Sequence, residues 1–200
     1  MTAALYKVTD LDGRPIHGGR GRWPLPQDGQ PGRWRSVRGL LVPCQRGLHL
    51  VTLEQLPFWL GPVIWEAEAA GERIDEQDKI VVRRARLIRR VEAWTPQLAR
   101  QFTAECTDRA IGHAATALKR AGLQEQAARL RELAPIIDGT TAREAWDAAR
   151  TAAWDAVRAA WAAGAAARDA AYAARDAERR WQAERRWQAE RLAELLGLER

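Results

Sequence analysis

Alternation of apolar and polar residues is clearest over Lys79–Val91. Val81, Arg83, Ala85 and Leu87 share one side, and Ile80, Val82, Arg84, Arg86 and Ile88 the other. A period of two predicts a strand. Val63–Glu68 alternates in the same way, with Val63, Trp65 and Ala67 opposed to Ile64, Glu66 and Glu68. The two segments predict an antiparallel hairpin joined by an acidic loop, Gly71–Asp78, with Glu66 and Glu68 facing Arg84 and Arg86. Trp65, Val81, Ala85 and Leu87 are its expected core. Shorter strands are expected at Leu5–Thr9, Leu40–Pro43 and Leu48–Thr52, and a short helix at Leu53–Leu60 before Gly61-Pro62. Residues 13–39, rich in Gly, Pro and Arg, read as a long loop or poorly formed strands.

After Trp94 the period changes. Thr95-Pro96 is an N-cap followed by proline at the first helical position, and Gly122 is a stop. A helix is expected between them, with Leu98, Phe102, Ala110 and Leu118 on its apolar side. A second covers Gln124–Ala134. Asp138-Gly139 is a turn, and Thr141–Glu144 fits a capping box. From about 142 to 197 only Gly164 interrupts a long Ala-rich helix, about 80 Å if unbroken. It either projects or folds back near Gly164 as a helical hairpin. The fold class is therefore α+β: a small, mostly antiparallel sheet head over 1–94, then an all-α region over 95–200.

That helix carries Trp146, Trp154, Trp161 and Tyr172. They fall at about 0°, 80°, 60° and 80° around a helix, a narrow aromatic stripe that calls for a packing partner. Further on, Arg179-Arg180-Trp181-Gln182-Ala183-Glu184 is repeated at once as 185–190. Six residues turn a helix by about 240°, so Trp181 and Trp187 lie on different faces.

The net charge is +6, with a pI near 10.1. Lys7, Lys79 and Lys119 are the only lysines; the remaining cations are Arg. A basic chain suits a polyanionic partner. An Arg- and Ala-rich bias is also what a GC-rich coding sequence produces. The two cysteines make no disulfide framework, which favours a reducing compartment. No secretory signal or run of eighteen apolar residues is present, so a cytoplasmic location is expected and no membrane partner.

Arg20, Arg22, Trp23, Arg33, Trp34, Arg35 and Arg38 interleave cations with aromatics. Guanidinium planes and indole faces suit phosphate contact and base stacking. Arg84 and Arg86, with Arg83, Arg89 and Arg90, add a basic strand. No histidine and cysteine spacing completes a metal pattern, and no cofactor is expected. Gly18-Gly19-Arg20-Gly21 lacks the Lys-Ser/Thr of a phosphate-binding P-loop. Cys44 and His49, five apart, form a conceivable nucleophile pair.

The run Cys44-Gln45-Arg46-Gly47-Leu48-His49, then Trp65-Glu66-Ala67-Glu68, Asp78-Lys79-Ile80-Val81-Val82 and Leu87-Ile88-Arg89-Arg90-Val91 resembles an uncharacterised phage- and prophage-associated domain. The resemblance spans roughly Leu5 to Val91. It implies a phage or mobile-element context and no reaction. The C-terminal part is similar in composition to Ala/Trp/Arg-rich helical tails of high-GC bacterial proteins, some labelled immunity proteins. Gly47-Leu48-His49 also resembles the strand after the catalytic loop of ADP-ribosyltransferase-like folds; those enzymes need a His or Arg on the first strand, where this chain has Lys7.

Three functions follow in order. The first is a non-enzymatic protein-interaction or oligomerisation module using Trp146, Trp154, Trp161, Tyr172, Trp181 and Trp187. The alternative is nucleic-acid or nucleotide binding through the Arg/Trp loop and the basic strand. The second alternative is a transferase-like enzyme around Cys44 and His49; a concave pocket holding His49 beside Lys7 or Arg38 would favour it.

Overall fold

The computed structural model describes residues 4–132 and 166–198, with 166–178 as backbone. The chain divides into two compact units, Met1–Pro96 with Glu184–Arg200, and Gln97–Ala183.

The first unit is built on five antiparallel strands: β1 (Leu5–Thr9), β2 (Arg35–Ser36), β3 (Leu48–Leu50), β4 (Val63–Asp75) and β5 (Ile80–Arg90). β4 lies between β1 and β5. The far edge of β5 is shared, with β3 on Ile80–Val82 and β2 on Arg84–Ala85. The path then returns to its start. Tyr6 and Val51 exchange both backbone hydrogen bonds, at 2.8 and 2.9 Å, so β1, β4, β5 and β3 close into a ring.

Inside the ring lies a continuous core of Leu5, Trp23, Leu48, Leu50, Val63, Trp65, Ile80, Val82, Ala85 and Leu87. Tyr6, Val8, Ile64 and Val81 are buried on the opposite side. Both faces of the strands are therefore covered at this end, which explains the short unbroken apolar run Ile80–Val82. Trp65 is 7% exposed. Its Nε1 donates to Thr9 Oγ1 at 2.8 Å, which settles the one polar atom of the ring.

Two register shifts correct the sequence reading. β4 runs on to Asp75, through what reads as an acidic loop. The extension is possible because Gly71, at φ 81°, absorbs an extra residue: Gly71 and Glu72 oppose Arg83 alone. The turn shrinks to Glu76–Lys79. The inward parity of β5 itself changes between Val82 and Ala85, across Arg83-Arg84. Ile80 and Val82, not Val81, share the inner cluster with Ala85 and Leu87. Val81 is buried on the other side, against Gly47, where a Cβ would meet its Cγ1 at 2.2 Å.

Two smaller elements also differ. Leu40–Pro43 is no strand; only Val42 pairs, with Arg46, across a turn through Pro43 and Cys44. Leu53–Leu60 holds a single 3₁₀ turn, Leu56–Phe58, since Pro57 lacks the N–H a longer helix needs.

In the second unit, α1 (Pro96–Arg120) and α2 (Gln124–Arg131) pack through Ala115, Leu118, Ala127 and Leu130. Gly122, at φ 79°, ends α1, with Leu123 N–H donating to Leu118 C=O as in a Schellman motif. Phe102 and Leu118 are buried as expected of the apolar side, whereas Ala110 is exposed. α3 (Ala166–Leu196) has 31 residues. Its last turns belong to the first unit, where Ala189, Leu192, Ala193 and Leu196 form a buried i, i+3, i+4, i+7 face. The expected helix over 142–165, including Gly164, lies outside the described residues. No helix among the described residues is long and apolar enough to cross a membrane.

Trp65→Ala removes the largest inner side chain shared by β1 and β4. It should lower stability by about 3–5 kcal/mol. Thr9→Val, which strands the indole N–H, should cost about 1–3 kcal/mol. Urea denaturation of both variants checks the order; a Trp65→Ala midpoint equal to wild type would remove Trp65 from the core.

Candidate functional site

The register of the hairpin decides which arginines face carboxylates. Glu68 pairs with Arg86 at 2.6 Å, so the two strands are offset by two residues from an antiparallel match of Glu66 and Glu68 with Arg84 and Arg86. Glu66 instead pairs with Arg89 at 2.7 Å, because Ile88 is an extra residue between the Glu66–Arg89 and Ala67–Leu87 pairs. Arg84 faces Ala70 and has no carboxylate partner among the described residues. Its guanidinium lies over Trp34 at 5.0 Å, and that of Arg86 at 4.8 Å from the same ring. β2 places this indole by pairing with β5 one residue further on. Trp34 is half-buried, so part of its ring stays open. Arg33 and Arg38, exposed on either side of β2, also lack carboxylate partners among the described residues.

The other residues of the Arg/Trp loop serve differently. Trp23 is 2% exposed and belongs to the inner core, so its ring is closed to a ligand. Lys7 Nζ and the Arg35 guanidinium lie 5.5 and 5.1 Å from its centroid. Arg35 also donates to the Arg20 carbonyl at 3.5 Å, so it ties the loop down. Arg20 is exposed, and exposed Arg22 pairs with Asp12 at 3.5 Å. Such a surface pair contributes little stability.

A cleft runs along the β1–β3 seam. It is lined by Tyr6, Lys7, Val8, His17, Gly18, His49, Leu50, Val51, Trp59 and Lys79 and spans about 400 Å³, its open mouth included. Lys7 donates to the His49 carbonyl at 3.1 Å across the seam. Burial, with help from Arg35, brings the Lys7 pKa down to about 8. His49 is pushed below its ordinary value by burial, then by Lys7 and Lys79, against a smaller opposing effect of Asp78. Its Nε2 is buried and has no hydrogen-bond partner among the described residues. Lys79, only 8% exposed, donates to Asp78 at 2.8 Å. That bond raises its pKa, and the Cys44 thiol beside it acts in the same sense. His17 Nε2–H donates to the Trp59 carbonyl at 3.0 Å, with the two rings edge to face. Trp59 Nε1 donates to the Asp78 carbonyl at 2.6 Å.

The structure thus brings His49 and Lys7 into one pocket, the arrangement named above for the enzyme reading; Arg38 is not in its lining. Cys44 stands at φ 62° in an exposed turn, against Lys79. No hydrogen bond joins it to His49 among the described residues. Lys79, Trp59 and Tyr6 are site residues that the sequence reading did not single out. One signal was available: Lys7 has the same parity as Leu5 in an alternating strand, so it faces inward.

Of the helical aromatics, Trp146, Trp154 and Trp161 lie outside the described residues, and Tyr172 is described only as backbone of α3. Trp181 is 52% exposed and Trp187 half-buried. Between them Arg185 places its guanidinium 4.5 Å over the Phe58 ring. No cluster of three or more metal-ligating side chains occurs among the described residues. Comparison of the chain with protein-family models, with curated proteins and with solved structures finds no match.

A lysine whose folded pKa lies below its unfolded value makes stability depend on pH with a known sign. Between about 8 and 10.5 the unfolded chain keeps a proton that folded Lys7 has lost, so stability rises with pH across that window. Below it the cost of burying the charge is fully present. Relative to Lys7→Met, the wild type should gain on the order of 2 kcal/mol from pH 8 to 10.5. Parallel pH dependences of the two proteins in chemical denaturation would contradict a buried Lys7.

Proposed function

We propose that this chain is a non-enzymatic binding module that engages single-stranded nucleic acid through the Trp34 surface. One observation carries the reading. A partly open indole is flanked by Arg84 and Arg86, at 5.0 and 4.8 Å, beside exposed Arg33 and Arg38. Arg33, Arg38 and Arg84 have no carboxylate partner among the described residues, so their charge is available to phosphates. A base stacks on an indole whatever its identity, and the guanidinium groups track the backbone. The recognition is therefore tolerant of sequence and sensitive to salt. The phage or mobile-element context implied by residues 5–91 is compatible with such a role.

A second reading rests on α3. Trp181 is 52% exposed on a 31-residue helix whose end packs in the first unit. A half-exposed aromatic on such a helix suits a protein partner or a second copy of the chain.

Fluorescence anisotropy of a labelled single-stranded oligonucleotide tests the first reading. Trp34→Ala should weaken binding by about 1–3 kcal/mol. Arg33→Ala with Arg38→Ala should weaken it for every sequence and reduce the salt slope by about one unit per arginine. Wild-type protein that binds no oligonucleotide at low salt refutes the reading. A change of mass in light scattering on Trp181→Glu, with oligonucleotide binding intact, would favour the second.

A further inference from the structure

The Trp34 surface continues along the chain beyond its own stack. Arg35 lies over the buried Trp23 ring and Val37 packs against the inner core, so these two residues point inward. Side chains alternate along an extended chain, which puts Trp34, Ser36 and Arg38 together on the outer side. Val37 N–H donates to the Arg83 carbonyl at 3.1 Å, so the pairing with β5 runs past the end of β2. The Arg83 guanidinium in turn donates to the Gly39 carbonyl and pairs with Glu72. Further on, Val42 and Arg46 exchange both backbone hydrogen bonds, at 2.8 and 2.7 Å. Between these two anchors Leu41 is buried, and exposed Arg38, Gly39 and Leu40 form a tip.

Gly39 brings a second cation to that tip. It sits at φ 81°, and a Cβ there would meet Arg46 Nη1 at 2.7 Å. The bare Cα thus lets the Arg46 side chain lie against the tip, beside the residue that follows Arg38. Both arginines are exposed, and neither has a carboxylate partner among the described residues. Four residues of extended chain separate Trp34 from Arg38, about 13 Å. A single base stacked on Trp34 does not reach across that span; the backbone of a strand does.

We propose that Arg38 and Arg46 form a second phosphate contact for the strand stacked on Trp34, so that the ligand is an oligonucleotide spanning both points and not a single nucleotide. The inference rests on the Trp34 reading and adds Arg46 to it. Two contacts on one backbone make the affinity depend on strand length, and each phosphate neutralised adds to its salt dependence.

The Trp34 indole N–H signal in NMR follows the binding of a dinucleotide, which carries one phosphodiester, and of an oligonucleotide of about twelve residues. Arg46→Ala should leave the dinucleotide affinity unchanged. It should weaken the longer strand about tenfold and lower its salt slope by about one unit. Arg46→Lys, which keeps the charge, should keep the slope. A folded Arg46→Ala protein that binds the longer strand as the wild type does, with the same salt slope, overturns the proposal and leaves the Trp34 reading in place. A wild-type Trp34 signal that neither ligand moves refutes that reading and the proposal with it.

Discussion

Two hydrogen bonds between Tyr6 and Val51 turn an open sheet into a ring. β1 is fixed along β4 by five residue pairs, and β3 along β5 by three, but among the described residues one backbone pair joins β1 to the end of β3. Once it forms, every inward residue of the four strands must share one interior. Apolar side chains fill most of it, and Trp23 is drawn in from the loop to complete the packing. Lys7 has no choice of face, because Leu5 and Thr9 on the same strand are committed to the interior and its register. Its ammonium group therefore ends at the seam, bonded to a carbonyl and set beside an indole. The closure thus sets both the apolar interior and the one lysine carried into it.

A second constraint, the two bulges of the β4–β5 hairpin, governs the outside. In the register of Glu68 opposite Arg86 and Ala70 opposite Arg84, Glu66 would stand opposite Ile88. The extra residue at Ile88 moves Glu66 on to Arg89, and Glu68 holds Arg86. Arg84 is left opposite Ala70, free to stack on Trp34. The extra residue thus gives Glu66 a cationic partner, while the register itself leaves Arg84 with no carboxylate opposite it, next to an aromatic ring. Exposed pairs of this kind add little to stability, so the irregularity costs the fold little.

The elements that a short period defines were legible in the residues. Leu5–Thr9, β5 and the start of β4 stand where alternation puts them, and Pro96 and Gly122 bound α1 as their backbone chemistry requires. The inner face of β5 was legible only in part. Val81 and Val82 are equally apolar, and nothing in Arg83-Arg84 reveals that the inward parity changes there. The Arg/Trp loop was recognised as a group, but its two tryptophans have opposite fates. Trp23 plugs the core and Trp34 faces outward, a division set by the ring closure and by β2, neither of which leaves a local pattern. The cleft was legible only through the inward parity of Lys7, since Lys79, His49 and Trp59 meet it from three separate segments.

The seam is the most direct test, because the buried lysine, the cleft and the packing of Trp23 all depend on it. Amide hydrogen exchange resolved to single residues measures it. A closed ring predicts that the Tyr6 and Val51 amides exchange as slowly as those in the centre of β4 and β5, through the same global opening. Exchange of these two amides at the rate of the neighbouring loops, while β4 and β5 remain protected, would show an open sheet and contradict the account.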